Sequence, residues 1–159
     1  MNYDEVMNID KVKFGDMPPQ AFLLGLLSAF DNRYQAAADA LLKEITWKQF
    51  FAIICINLCK NAPTINELSD VMGSSHQNVK QILLKLEKKG FIAMSPDEQD
   101  RRKQRISVTD AARRFLKKND DNGRQTQYII GRIFDGISEK SLMTTIQTIM
   151  KMERNLCKL

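Results

Sequence analysis

The segment from Thr64 to Lys89 leaves this chain the fewest ways to fold: it writes two short amphipathic helices, each with its own start signal, on either side of Gly73. Thr64 followed three residues later by Glu67 has capping-box spacing, in which each side chain satisfies the other's free backbone N–H. Ile65, Leu68, Val71 and Met72 then give one short apolar stripe, and Gly73 stops it because glycine takes a left-handed cap without steric penalty. The next helix starts at Ser75 and runs to about Lys89, with Val79, Ile82, Leu83 and Leu86 inward and His76, Gln77, Asn78, Lys80, Gln81, Lys85 and Lys88 outward. Isolated helices this short are marginal in water, so the two must pack on each other and on a third element. A short helix, a tight turn over Gly73 to Ser75 and a second helix make a helix-turn-helix.

The flanking sequence supplies that third element. Thr46 with Gln49 repeats the capping box, and Trp47, Phe50, Phe51, Ile54 and Leu58 mark the expected buried face of a helix that ends near Lys60, before the break Asn61-Ala62-Pro63. Downstream, Phe91 to Ser95 and Gln104 to Val108 read as two short strands around a polar loop from Pro96 to Lys103. Ahead of these, Pro18-Pro19 opens a first helix to about Lys43, striped by Leu23, Leu27, Phe30, Tyr34, Ala37 and Leu41. Thr109 caps a fifth helix carrying Ala112, Phe115 and Leu116, with a kink expected at Asn119-Asp120-Asp121-Asn122-Gly123. Helix resumes with Tyr128, Ile129, Ile133 and Phe134, and stops around Gly136. A last helix from Ser138 carries Leu142, Ile146, Ile149 and Leu156 in a near-heptad pattern, with Met143, Met150 and Cys157 beside them. The fold expected is mainly α with a small β-hairpin wing: an N-terminal arm and first helix over 1–45, a winged helix-turn-helix over 46–109, and C-terminal helices over 110–159.

Charge shows where such a fold would meet a partner. From Ser74 to Lys118 there are twelve Lys or Arg against five acids, 12 − 5 = +7, while the rest of the chain carries 12 − 14 = −2. A localised basic face suits a polyanion, because neutralising phosphates releases counterions and supplies most non-specific DNA affinity. The sequence has no nucleophile paired with a base, no paired-carboxylate motif, no Gly-rich phosphate loop and no metal-ligand spacing, and its one histidine is His76. The expectation is therefore not an enzyme, with no cofactor and no metal. The longest apolar stretch, Ala21 to Phe30, is broken by Gly25 and Ser28 and falls well short of the roughly 20 residues of a membrane span. Asp4, Glu5 and Asp10 stand where a signal peptide has its basic flank, so a cytoplasmic location is expected. Three cysteines, an odd number, fit a reducing compartment, as buried thiols or as a redox sensor.

Ile65-Asn66-Glu67-Leu68-Ser69-Asp70-Val71-Met72-Gly73, then Val79 to Leu86, Lys89-Gly90-Phe91-Ile92, Asp100-Arg101-Arg102 and Ile106-Ser107-Val108-Thr109 form a familiar order. It resembles the MarR family of bacterial transcription regulators over about Thr46 to Thr109, and the helical order outside that stretch also fits. The resemblance implies a homodimer in which the first, fifth and sixth helices interlock, with Leu23, Leu27, Leu142, Ile146 and Ile149 as dimerisation residues. It places the helix from Ser75 in the major groove of double-stranded DNA, so that Ser75, His76, Gln77, Asn78, Lys80 and Gln81 face base edges. It also places a wing of Asp100, Arg101, Arg102, Lys103 and Arg105 on the duplex, with Arg102 at the tip in the minor groove and Asp100 holding it through a salt bridge.

That resemblance further implies an effector pocket, for which Phe30, Tyr34, Trp47 and Phe51 are the candidates and a small aromatic or other hydrophobic molecule the ligand. Bland readings stand beside these: His76 as a solvated histidine, the wing as an ordinary charged hairpin, and the aromatics as core. The chain departs from the family in carrying Ala93-Met94-Ser95, where basic residues are frequent, and in having Gln81 in place of an arginine. Without arginine to read guanine, Gln and Asn pairing with adenine is what remains, which predicts an A·T-rich operator. The family's organic-peroxide sensors use a cysteine near the amino terminus, and here none precedes Cys55. The expected function is a ligand-responsive repressor that binds a pseudo-palindromic operator. The alternative is a winged-helix protein-interaction module using its basic face on an acidic partner.

Overall fold

The computed structural model describes residues 17–121 and 130–159. Its elements are α1 (Pro19–Leu41), α2 (Trp47–Leu58), α3 (Ile65–Met72), α4 (His76–Lys88), β1 (Ile92–Pro96), β2 (Gln104–Val108), α5 (Asp110–Asp121) and α6 (Glu139–Leu156). The chain divides into two compact units, Met1–Arg114 and Phe115–Leu159. The first holds α1 together with the winged helix-turn-helix.

Both expected capping boxes form. Thr46 Oγ1 accepts the Gln49 N–H at 3.3 Å while Gln49 Oε1 accepts the Thr46 N–H at 3.2 Å, and Thr64 and Glu67 do the same at 3.3 and 2.7 Å. Such a cap contributes about 1 kcal/mol, enough to set where a helix begins. Gly73 ends α3 at φ 58°, where the Ser74 N–H closes on the Ser69 carbonyl at 3.0 Å. Gly90 follows α4 at φ 71°, with the Phe91 N–H on the Leu86 carbonyl at 3.0 Å. These six-to-one closures satisfy carbonyls that a helix end otherwise leaves open. They turn the chain sharply enough for α4 to pack on both α2 and α3.

The core of this unit is built from Ala52, Ile53, Cys55 and Ile56 of α2, Leu68 of α3, Val79, Leu83 and Leu86 of α4, and Ile92, Ile106 and Val108 of the hairpin, all buried. The α4 stripe is the one read from the sequence. That of α2 is not: Gln49, Ala52, Ile53, Cys55 and Ile56 go inside, while Trp47, Phe50, Phe51 and Ile54 are half-buried and Leu58 is 75% exposed. α2 is apolar almost all round, so periodicity selects no face, and the faces differ in size instead. Ala52 and Cys55, at 0% and 1% exposure, are small enough for a neighbouring element to pack closely over them. On α3, Val71 likewise turns out, at 52% exposure, and Ser69 takes a buried place, its hydroxyl donating to the Ile65 carbonyl at 2.7 Å.

The hairpin is antiparallel, in register from Ile92↔Val108 to Pro96↔Gln104. Its root is tied to the segment before α3 by the Ile106 N–H on the Pro63 carbonyl at 2.9 Å and by a bridge between Thr64 and Arg105. Helix α5 runs through Asp121 with no break at Asn119 to Asp121; Asn122 and Gly123 lie outside the described residues, as do the amino-terminal arm, Tyr128 and Ile129. Residues 130–133 are helical, and Gly136 at φ 72° precedes α6, which Ser138 caps. No side chain of α6 is buried. No described helix is long and apolar enough to cross a membrane.

Candidate nucleic-acid interface

Helix α4 begins at the surface with a run of small and polar side chains. Ser75 caps it, its hydroxyl accepting the Asn78 N–H at 3.3 Å, and Ser75, His76, Gln77, Asn78, Lys80 and Gln81 are all exposed. Because Val79, Ile82, Leu83 and Leu86 anchor the opposite face, the outward residues stand on a rigid base. Asn78 differs from its neighbours: its Nδ2 donates to Ser74 Oγ at 2.8 Å, tying that side chain back to the turn. Gln77 and Gln81 are the amides left fully to the outside.

The wing loop is a closed electrostatic unit. Asp97, buried at 7% exposure, accepts the backbone N–H groups of Gln99 and Asp100, each at 2.8 Å, and the Arg105 guanidinium. Those bonds hold its carboxyl down at about pKa 2 from an ordinary 3.8, the Asp100 N–H first, then Arg105, then the Gln99 N–H. At the tip, Asp100 takes Arg102 Nε at 3.0 Å and Nη2 at 3.3 Å, with Lys103 Nζ at 3.9 Å. The hydrogen bonds from Arg102 lower the Asp100 carboxyl. The Arg102 side chain is nonetheless 91% exposed, a cation held by one edge and presented to solvent by the rest.

Of the wing residues read from the sequence, Arg101, Arg102 and Lys103 lie exposed at the tip, and Arg105 does not join them. It is half-buried at the root, where it donates to Asp97, to Glu67 Oε2 at 3.1 Å and to the Ala62 carbonyl at 3.0 Å. Asp97 escaped the sequence reading. Its signal was the spacing Asp97-x-Gln99-Asp100 after Pro96, that of an aspartate folding back on the amides two and three residues on.

Behind the turn, a cavity of about 390 Å³ is lined by Asp31, Tyr34 and Gln35 of α1, Trp47, Lys48 and Phe51 of α2, and Met72, Gly73, Ser74, Asn78 and Ile82. Tyr34 meets Trp47 edge-on at 4.8 Å, and Trp47 stacks on Phe51 at 6.1 Å. Phe30, the fourth pocket candidate, is not on this wall; it is 49% exposed and stacks on Tyr34 at 6.2 Å. Among the dimerisation candidates, Leu23 and Leu27 on α1 are half-buried, as are Leu142 and Ile149 on α6, while Ile146 is exposed. Cys55 is buried, which raises its thiol pKa, Cys59 is half-buried and donates to the Cys55 carbonyl at 3.3 Å, and Cys157 is exposed, so the buried-thiol reading fails there. The described residues hold no cluster of potential metal ligands.

Residues 45–103 match the model of the MarR family. Among solved structures, a MarR protein from Peptoclostridium difficile has a TM-score of 0.77 at 17% identity, over 93% of this chain and 95% of that one. A DNA complex of MepR from S. aureus has a TM-score of 0.69 at 20% identity, over 82% and 95%. A cysteine-to-serine mutant of MarR from E. coli, complexed with operator DNA, has a TM-score of 0.72 at 19% identity, over 87% and 99%. The chain thus has the fold of the winged-helix MarR structures.

Proposed function

We propose that this chain, whose residues 45–103 match the model of the MarR family, is a winged helix-turn-helix transcription repressor acting as a homodimer on a pseudo-palindromic operator. The observation that carries this reading is the pairing of two readers on one rigid unit: the exposed polar start of α4 and the solvent-facing Arg102. The first suits hydrogen bonding to base edges in a major groove, and the second suits the enhanced negative potential of a narrow minor groove. Half-sites would lie about one helical turn, roughly 10 base pairs, apart. The DNA is that of the cytoplasm, and no catalytic step belongs to this reading. The two DNA-bound neighbours support it by their fold.

Ligand response rests on the cavity. Its size is within the usual range for small-molecule sites, and the faces of Tyr34, Trp47 and Phe51 suit a small aromatic or other hydrophobic effector. Ser74 in the turn and Asn78 in the first turn of the reading helix both belong to that wall, so an occupant prefers whichever placement of α4 leaves it room. Preference for a state with α4 displaced would release the operator.

The test is a mobility shift on DNA from upstream of the chain's own gene, against bulk competitor and at several salt concentrations. Arg102→Ala should weaken binding across sequences and reduce the salt slope by about 1. Unchanged affinity would take the wing out of the mechanism. Absence of any preference over competitor DNA at every salt would favour the protein-interaction module and its acidic partner.

A further inference from the structure

Among the five wing residues, Arg105 alone turns its guanidinium toward the body of the domain. It meets the buried Asp97 at the base of the wing loop and, across elements, the Glu67 carboxylate and the Ala62 carbonyl next to the N-cap of α3. Glu67 is itself spoken for: it closes the capping box on Thr64, whose hydrogen bonds lower its carboxyl, with Arg105 adding to that shift. One side chain thus joins the wing loop, strand β2 and the helix that supports the reading helix. We propose that Arg105 is a positioning residue, which fixes where Arg102 stands relative to α4 without itself contacting DNA. This rests on the DNA-binding reading above and adds the device that sets the spacing of its two readers.

The physical case begins with the weakness of the hairpin. A two-stranded ribbon is marginal by itself and twists freely, so an angular error at its root is amplified at its tip. Backbone pairing of Ile106 with Pro63 fixes the root, but nothing in that pairing fixes the loop that follows Pro96. Arg105 spans the gap. Its rigid planar fork gives several donors at set angles, which a lysine could not reproduce. Facing two carboxylates, its charge is compensated within the domain, and it adds little to long-range attraction for phosphates.

Charge and geometry predict opposite signs for one substitution, and the test uses that. Glu67→Gln removes a negative charge, which by electrostatics alone tightens binding to a polyanion; if Glu67 works by holding Arg105, the same change weakens it. Anisotropy titrations would use one duplex enriched from a random-sequence pool by the unaltered chain, with Glu67→Gln and Arg105→Met each made alone and with Arg102→Ala. Each single change should weaken binding roughly tenfold. In the Arg102→Ala background the further loss should shrink to less than about twofold, because the positioned group is gone. Equal losses in both backgrounds, or unchanged or tighter binding by Glu67→Gln, would overturn the proposal. Should Arg105→Met fail to fold, Glu67→Gln decides alone, its side chain being 56% exposed. If the unaltered chain enriches no duplex, the DNA-binding reading falls first and this proposal falls with it.

Discussion

Asp97 is a buried carboxylate in a loop of otherwise solvated charges, and its partners make it the anchor of the wing. A carboxylate whose pKa is lower in the folded chain than in the unfolded one stabilises the fold above the unfolded value, and that contribution disappears as pH falls toward the folded value. For Asp97 the window runs from 3.8 down to about 2. Amide NMR of Gln99 and Asp100 should accordingly show both signals titrating together with a midpoint near 2, and Asp97→Asn should abolish the transition. A midpoint near the ordinary carboxylate value would remove Asp97 from this role. At the same scale, Arg102 was legible in the sequence because a tip residue is recognised by its place in a motif. The inward turn of Arg105 was not, because its partners Ala62 and Glu67 are some forty residues away and only the folded hairpin brings them near.

Single elements were most legible where one local signal decided their bounds. Thr46, Thr64 and Ser138 each cap the helix they were expected to start, and Gly73 ends α3 at a positive φ that other residues reach only at a cost. The α4 stripe emerged correctly because its outward face is polar. α2 offered no such contrast, and the small side chains of Ala52 and Cys55 are among those that went to its interior. The two faces should therefore answer mutation very differently. Ile53→Ala, at a fully buried position, should cost about 2–5 kcal/mol in urea denaturation. Leu58→Lys, equally apolar by sequence, should change stability by less than about 0.5 kcal/mol. A large loss at Leu58 would mean that this end of α2 is covered in the working protein.

At the scale of the whole molecule, α6 sets the question. It is eighteen residues long with no buried side chain, and Met143, Ile146 and Met150 are each 40% or more exposed. An isolated helix of that length is only marginally stable in water, so its apolar stripe calls for a cover. A second copy of the chain is the proposed one. Ile146→Lys should then weaken self-association at least roughly tenfold in sedimentation equilibrium, and binding to a duplex with two half-sites should fall with it. Association equal to that of the unaltered chain would exclude α6 from the dimer contact. The near-heptad spacing announced this stripe, but the order of residues in one chain does not name what covers it. The cavity behind the reading helix has a consequence of a different kind. Its wall includes Trp47, the only tryptophan in the chain, edge-on to Tyr34, and the same wall includes Ser74 of the turn and Asn78 of the reading helix. The indole fluorescence of the native protein is therefore a single-site signal, whose colour and intensity follow what lies against that one ring, and a molecule entering the cavity announces itself with no dye attached.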